Sequence, residues 1–490
     1  MGGMAQQIRG VLFDLARGLE RRPYYRQAID FLAGRGVNTV LWHFTDDQGC
    51  GMDFAAVPGL ASPHAYSPGE MRDLVVYARD RGIELVPEVA SLGHTVYLTR
   101  LPRYRHLAES DGEMFSSLCP VAPEARPVLR ALIEEAATVF DGPNFHVGLD
   151  ETNFGRHPLS AAALRTRTRT EIFADHIGFI HGVVTGLGRR MWMWADGLLH
   201  DPDLAARLPR DIVMCNWKYR PEEPTDSTRA LLDRGFDVVL CSASISSQQQ
   251  LFPGERFALR NVRSLHRHAA LRSTAPGGGR VLGHVNTVWT PVRFMAGSLW
   301  LGLDLALALM REPAGVDLAG RMADFGRGFH GLVDVSPWVE ACRIVVRCSP
   351  CREEWLAVLN LSPAVDAATA DAIAAAAPQW ASAHALLGDV AAAVRCHETE
   401  FRTFALMVEL AAHAYGVAAG LADLDAAGAR AATAGTRRLL AAVDATWDRE
   451  RFADDPRKYA ASIDHFDGDH LIPMIRLGLD RLEALAANRG

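Results

Sequence analysis

The chain has 490 residues, 51 Lys+Arg against 58 Asp+Glu, a net charge of −7 and 49% hydrophobic residues. That length exceeds what one hydrophobic core usually serves, so two domains are expected. The charge balance offers no basic footprint for nucleic acid or an anionic membrane surface, and no uninterrupted apolar run long enough for a transmembrane span appears.

In chain order, short β-branched or aromatic runs alternate with amphipathic stretches. Strands are expected at RGVLFDLA (9–16), NTVLWHFT (38–45), IELVPEVA (83–90), NFHVGLDE (144–151), RRMWMWAD (189–196), IVMCNWKY (212–219), DVVLCSA (237–243) and VLGHVNTVW (281–289). Segments such as RPYYRQAIDFLAGRG and PGEMRDLVVYARDRG read as helices, each closed by a Gly suited to a helix C-terminus. This alternation implies a parallel sheet with crossover helices, and eight such units imply an α/β fold, a (β/α)8 TIM barrel, over residues 8–312. Residues 313–490 lose the strand pattern and become Ala- and Leu-rich, which reads as an all-α C-terminal domain. Its expected role is structural, or a homodimer contact.

Polar residues gather at the expected C-terminal strand ends: Arg17, Asp46, Asp47, His94, Asp150, Glu151 and Asp196. That is the face on which such barrels carry their sites. Asp150 and Glu151 are adjacent, so the chain must curl for both to reach one substrate, and Gly148 permits that. Neighbouring carboxyls push their pKa values apart, which suits an acid working beside a charged stabiliser.

Four segments match a known pattern in order: Asp14-x-x-Arg17, His43-x-x-Asp46-Asp47-Gln48, Pro87-Glu88-x-x-x-x-Gly93-His94 and His146-x-Gly148-x-Asp150-Glu151. With MWMWADG they resemble family 20 glycoside hydrolases, the β-N-acetylhexosaminidases, over roughly residues 8–300. The resemblance implies an exo-acting, retaining enzyme that removes N-acetylhexosamine from an oligosaccharide or glycoconjugate, without metal or cofactor. Its mechanism is substrate-assisted, through an oxazolinium intermediate. It makes Glu151 the general acid and later base, Asp150 the group that orients the 2-acetamide, and His94 a relay partner with Asp46 or Asp47. Arg17 would bind ring hydroxyls, and Trp194, Trp217 and Trp289 would wall the sugar. His146 ranks below these as a substrate contact.

Ala90 and Leu92 stand where the family has Asp and Pro, the seventh strand lacks the usual Tyr and Asp, and Pro291 replaces the Glu of W-x-E. Tyr219, Asn286 and Arg293 are the polar candidates for restoring lost contacts. Two other readings compete: a catalytically impaired sugar-binding barrel, and a metal-dependent hydrolase using His43, His94, His146 and His284. The N-terminal residues do not resemble a secretory signal, and eight scattered cysteines read as reduced thiols, so a cytoplasmic location is expected. Cys348 and Cys351 form a CxxC without a second ligand pair.

Overall fold

The runs rich in Val, Leu, Ile and Trp close into a parallel barrel in the computed structural model, which describes residues 7–110, 117–312, 315–362, 365–458 and 470–489. The strands are β1 (Ile8–Asp14), β2 (Thr39–His43), β3 (Glu84–Glu88), β4 (Asn144–His146), β5 (Arg190–Trp194), β6 (Val213–Trp217), β7 (Asp237–Ile245) and β8 (Val281–Val288). Each pairs with the next, and β8 returns to β1. Side chains alternate across each strand, so Leu12, Leu41, Val86, Trp192, Val213, Val239 and Val285 fall into one interior cluster.

Register matters for function. Asp14 lies opposite His43, His43 opposite Glu88, and Glu88 opposite His146. Four neighbouring strands thus present a contiguous row of polar residues one layer above the apolar interior. The helices that set this row are conventional amphipaths. Pro68–Arg79 starts with a capping box between Ser67 and Glu70, and Gly82 follows it with φ 73°.

The chain divides into two compact units. The first is Met1–Lys218, Glu222–Ser242 and Ser264–Trp289; the second is Tyr219–Pro221, Ala243–Arg263 and Thr290–Gly490. The division therefore falls after Trp289 rather than at the expected 312/313. Helix Trp300–Arg311 belongs with the second unit, where its buried Asp304 takes two hydrogen bonds from Arg321, at 2.6 and 2.7 Å. The rest of the second unit is largely helical, as expected. Its helix Glu398–Gly420, with the turn to Asp423, has the length and composition of a membrane span, although charged residues such as Glu409 interrupt its apolar run. Its Phe401, Phe404, Met407, Val408, Ala411, Ala414 and Tyr415 recur at helical spacing and are buried within the unit.

Candidate active site

β4 ends at His146, five residues short of the expected strand, although Val147 N–H still donates to Trp192 O at 3.0 Å. Beyond it the chain curls: Gly148, Leu149 and Glu151 have φ of 66°, 75° and 46°. For a non-glycine residue this left-handed region costs about 1–2 kcal/mol. The Glu151 N–H is held at 2.9 Å by Asp196 Oδ2 from the end of β5, which helps offset that cost. The curl turns both carboxyls toward one imidazole. His94 Nε2 lies 3.5 Å from Asp150 Oδ2 and 3.2 Å from Glu151 Oε2.

The far side of His94 faces acids too. Its Nδ1 is 3.3 Å from Asp46 Oδ1 and 3.4 Å from Asp47 Oδ2, so the relay left open between two aspartates involves both. His94 itself has φ 53°, with Gly93 packed against the Asp150 backbone so closely that a Cβ there would sit 2.1 Å from Asp150 O. Arg17 is buried between Asp14 (3.0 Å) and Asp46 (2.8 Å), with its guanidinium 5.5 Å from the Trp289 ring centre.

The charges sort in an unexpected direction. Burial raises the Asp150 carboxyl well above its usual range, and Asp196, Glu88 and Glu151 add to this against the opposing charge of His94. Glu151 is also partly buried, yet the hydrogen bond and charge of His94, with Arg17, hold it below its ordinary value. The carboxyl raised in the unliganded site is thus Asp150, not the expected acid Glu151. The geometry explains the reversal: the Glu151 side chain is 48% exposed and Asp150 only 20%. His94 is raised well above its ordinary value, because Asp46 and Asp150 outweigh its burial.

Beneath this group lies a carboxylate with no role assigned to it from the sequence. Glu88 is buried, receives the Trp194 indole N–H at 2.8 Å, and lies 2.8 Å from His43 Nδ1 and 3.4 Å from His146 Nδ1. His43 Nε2 in turn meets Asp46 Oδ2 at 2.8 Å. Burial alone would lower the His43 pKa, but Glu88 and Asp46 push it up to about 10. A histidine raised in this way adds stability below its unfolded value of about 6.5, and the contribution is lost as pH rises through the folded value. Between about pH 6.5 and 10 the wild type should therefore lose thermal stability faster than His43→Gln. Parallel melting curves across that window would contradict the ion pairing.

Trp194 and Trp289 have ring centres 6.0 Å apart, Trp289 meets His43 edge-on at 5.0 Å, and the Trp217 indole reaches Asp196 Oδ1 at 3.3 Å. The three tryptophans therefore lie against His43, Arg17, Glu88 and Asp196. Asp196, noted only for its strand-end position, links the acid's backbone to Trp217.

Asn286 and His146, two expected substrate contacts, fall elsewhere. Asn286 shares the phase of β8 that points away from the interior, and its Oδ1 accepts from Ser242 at 3.1 Å in the layer outside the barrel. One position in a period of two separates it from the sugar face. His146 is fully buried at the level of Glu88, edge-on to Trp194 at 4.5 Å, and so belongs to the floor. Tyr219 and Arg293 fall in the second unit, where Arg293 is buried and donates to Thr290 Oγ1 at 3.3 Å.

The four-histidine metal reading fails on the same geometry. His284 lies outside the barrel on Ser242 at 2.8 Å, with burial lowering its pKa to about 3, and His43 and His146 are engaged by Glu88. Among the described residues, Asp46, Asp47 and His94 bring potential ligand atoms within 4.8 Å of one another. Asp46, however, already accepts from Arg17, His43 and the Asp47 N–H, so the guanidinium occupies the cation's electrostatic role.

The profile described as "Glycosyl hydrolase family 20, catalytic domain" matches residues 7–277. Beta-hexosaminidase 1 of Coccidioides posadasii is 27% identical over 264 residues, which is 48% of this chain and 43% of that protein. A beta-hexosaminidase of Vibrio furnissii is 26% identical over 274 residues, with the same shares of 48% and 43%. The chain thus spans less than half the length of these relatives. The GH20 exo β-N-acetylglucosaminidase of Vibrio harveyi superimposes with a TM-score of 0.53 at 20% identity, over 65% of this chain and 57% of that one. The chitobiase of Flavobacterium johnsoniae does so with 0.52 at 17% identity, over 97% and 78%. These likenesses are of fold.

Proposed function

Because this chain belongs to glycosyl hydrolase family 20, we propose that it is an exo-acting, retaining β-N-acetylhexosaminidase in which the substrate's own 2-acetamido oxygen is the nucleophile. The observation that carries this reading is the shared orientation of Asp150 and Glu151 toward His94 Nε2. A protein nucleophile and an acid must flank the scissile bond from opposite sides, about 5–5.5 Å apart in retaining enzymes. Two carboxyls on one imidazole suit a different division of labour.

Glu151 donates its proton to the glycosidic oxygen as the acetamido oxygen attacks the anomeric carbon. The bond to the aglycone breaks, and an oxazolinium ring forms. Asp150 accepts a hydrogen bond from the acetamide N–H and opposes the positive charge that develops there. Glu151, now ionised, takes a proton from the water that reopens the ring, and configuration is retained. Asp150 is shifted up and Glu151 down, the opposite of what this sequence of steps needs, and bound sugar would shift both back. A sugar covering the half-exposed Glu151 strips its water and favours the acid form, while the amide donor favours ionised Asp150. His94 lies within reach of both and conducts the exchange.

The tryptophans give the sugar and the acetamido methyl apolar walls, and Arg17 at the rim of Trp289 is the ring-hydroxyl partner. N-Acetylhexosamine-containing glycans are the substrates on this reading. A cytoplasmic location is consistent with eight unpaired cysteines. Homodimerisation belongs to the same reading, without a contact assigned to it.

Turnover of p-nitrophenyl N-acetyl-β-glucosaminide or galactosaminide, with the β-anomer of the free sugar appearing first by NMR, tests the proposal. A folded protein that binds the sugar but turns over neither would instead be the impaired sugar-binding barrel. Pro291 in place of a carboxylate weakens selection at the 4-hydroxyl, and Asn286 faces Ser242 instead of restoring it. The two p-nitrophenyl sugars should therefore differ in kcat/KM by less than about tenfold, or about 1.4 kcal/mol. A ratio of a hundred or more would show a rebuilt subsite.

A further inference from the structure

The row of polar residues opposite one another on β1 to β4 is more than a floor. His43 meets a carboxylate oxygen at each ring nitrogen, Asp46 Oδ2 and Glu88 Oε2, both at 2.8 Å. An imidazole held this close to a carboxylate on each side is stabilised as the imidazolium by their charges. Through this cation Glu88 is tied to Asp46, which faces His94 at 3.3 Å, and His94 faces Glu151 at 3.2 Å. The other oxygen of Glu88 accepts the Trp194 indole N–H at 2.8 Å, and Trp194 forms one wall of the site with Trp289.

We propose that Glu88 is a positioning residue that holds both halves of the site at once, setting Asp46 and His94 through His43 and setting the aromatic wall through Trp194. The inference rests on the hexosaminidase reading for what the two halves do. Glu88 is 1% exposed, so it acts through the groups it holds. Its effect is geometric: a carboxylate with two oxygens, each committed to a different functional group, fixes the distance between acid relay and wall. Misplacement of a reacting group by about 1 Å can cost about 100-fold in rate. The groups facing Glu88 are His43 on β2, His146 on β4 and Trp194 on β5, with the charge of Glu88 also felt at Cys215 on β6 and at Asp150. Those facing His43 are Glu88, Asp46 and Trp289, with Arg17 on Asp46 behind them.

Three variants separate the two arms. His43→Gln cuts the link to the relay and should lower kcat more than it raises KM. Trp194→Phe removes only the indole donor and should raise KM more than it lowers kcat. Glu88→Gln, isosteric but neutral, should do both, with kcat falling about 100-fold. Its alkaline pH limb should move down by about one unit or more, as His43 loses a partner that keeps it charged. NMR titration of the His43 imidazole supplies a readout that needs no turnover. It should stay charged to about pH 10 in the wild type and titrate at least a unit lower in Glu88→Gln. An unchanged titration with unchanged kcat and KM would make Glu88 a space-filling residue and overturn the inference. If Glu88→Gln does not fold, identical kcat and KM effects in the other two variants overturn it instead. A wild type without hexosaminidase turnover refutes the functional reading, and the titration then decides this inference alone.

Discussion

Glu151→Gln should lower kcat/KM on an N-acetylglucosamine disaccharide by about 10³-fold, yet by less than about tenfold on a 2,4-dinitrophenyl glycoside. The difference isolates the acid role. A sugar alkoxide cannot leave without a proton, whereas dinitrophenolate can. Using kcat/KM confines the comparison to steps up to loss of the aglycone, so the later base role of the same carboxyl does not enter. The loss corresponds to about 4 kcal/mol of transition-state stabilisation, in the range for a positioned general acid. The site geometry adds a condition on pH. Glu151 is ionised in the unliganded protein because His94 holds it below its ordinary value, so its protonation depends on the sugar displacing water. An equal loss on both substrates would remove Glu151 from the acid role, leaving Asp150, whose carboxyl is raised, as the alternative donor.

The second large effect concerns the nucleophile. A β-glucoside lacking the 2-acetamido group should be hydrolysed at least about 10⁴-fold more slowly than the N-acetylated sugar, because tethering a nucleophile beside the reacting carbon is worth about 7–11 kcal/mol at best. A thiazoline analogue of the cyclised sugar should bind at least about 100-fold more tightly than free N-acetylglucosamine. Asp150→Asn should weaken the thiazoline more than it weakens the free sugar, since the removed charge opposes one that exists only in the cyclised state. Efficient glucoside hydrolysis would instead require a protein nucleophile. That would contradict the reading taken from Asp150 and Glu151 sharing one imidazole.

Much of this site was legible along the chain. The period-two strands, the helix caps and the acid-bearing strand ends depend on neighbours within a few residues, and the eight expected strands all appear. Asp150, Glu151, His94 and Arg17 lie in short motifs, and the structure brings them together. The acid pair's curl was also foreseeable, because Gly148 stands where the left-handed turn begins.

What tertiary structure decided depends on register and on the low-dielectric interior. Glu88 and His43 were visible inside the motifs, but their pairing arises only because β2 and β3 align those two positions, 45 residues apart in sequence. Asn286 looked suitable by proximity to Trp289, and the strand's alternation sent it to the opposite side of the sheet. Helix Trp300–Arg311 groups with the second unit, where its Asp304 bonds Arg321, a pairing invisible in an apolar helix read alone. The order of carboxyl pKa values was undetermined by adjacency: two neighbouring acids must split, but burial, the Asp196 and Glu88 charges and one imidazole decide which rises. Residue types and spacing by themselves determined the barrel, because it follows from local geometry, and the resemblance of short motifs to a known family singled out Asp150 and Glu151 as candidate acids. Which acid is shifted up and which down, and which residues hold the acids in place, was decided by contacts between distant strands, where charge interactions are strong because water is excluded.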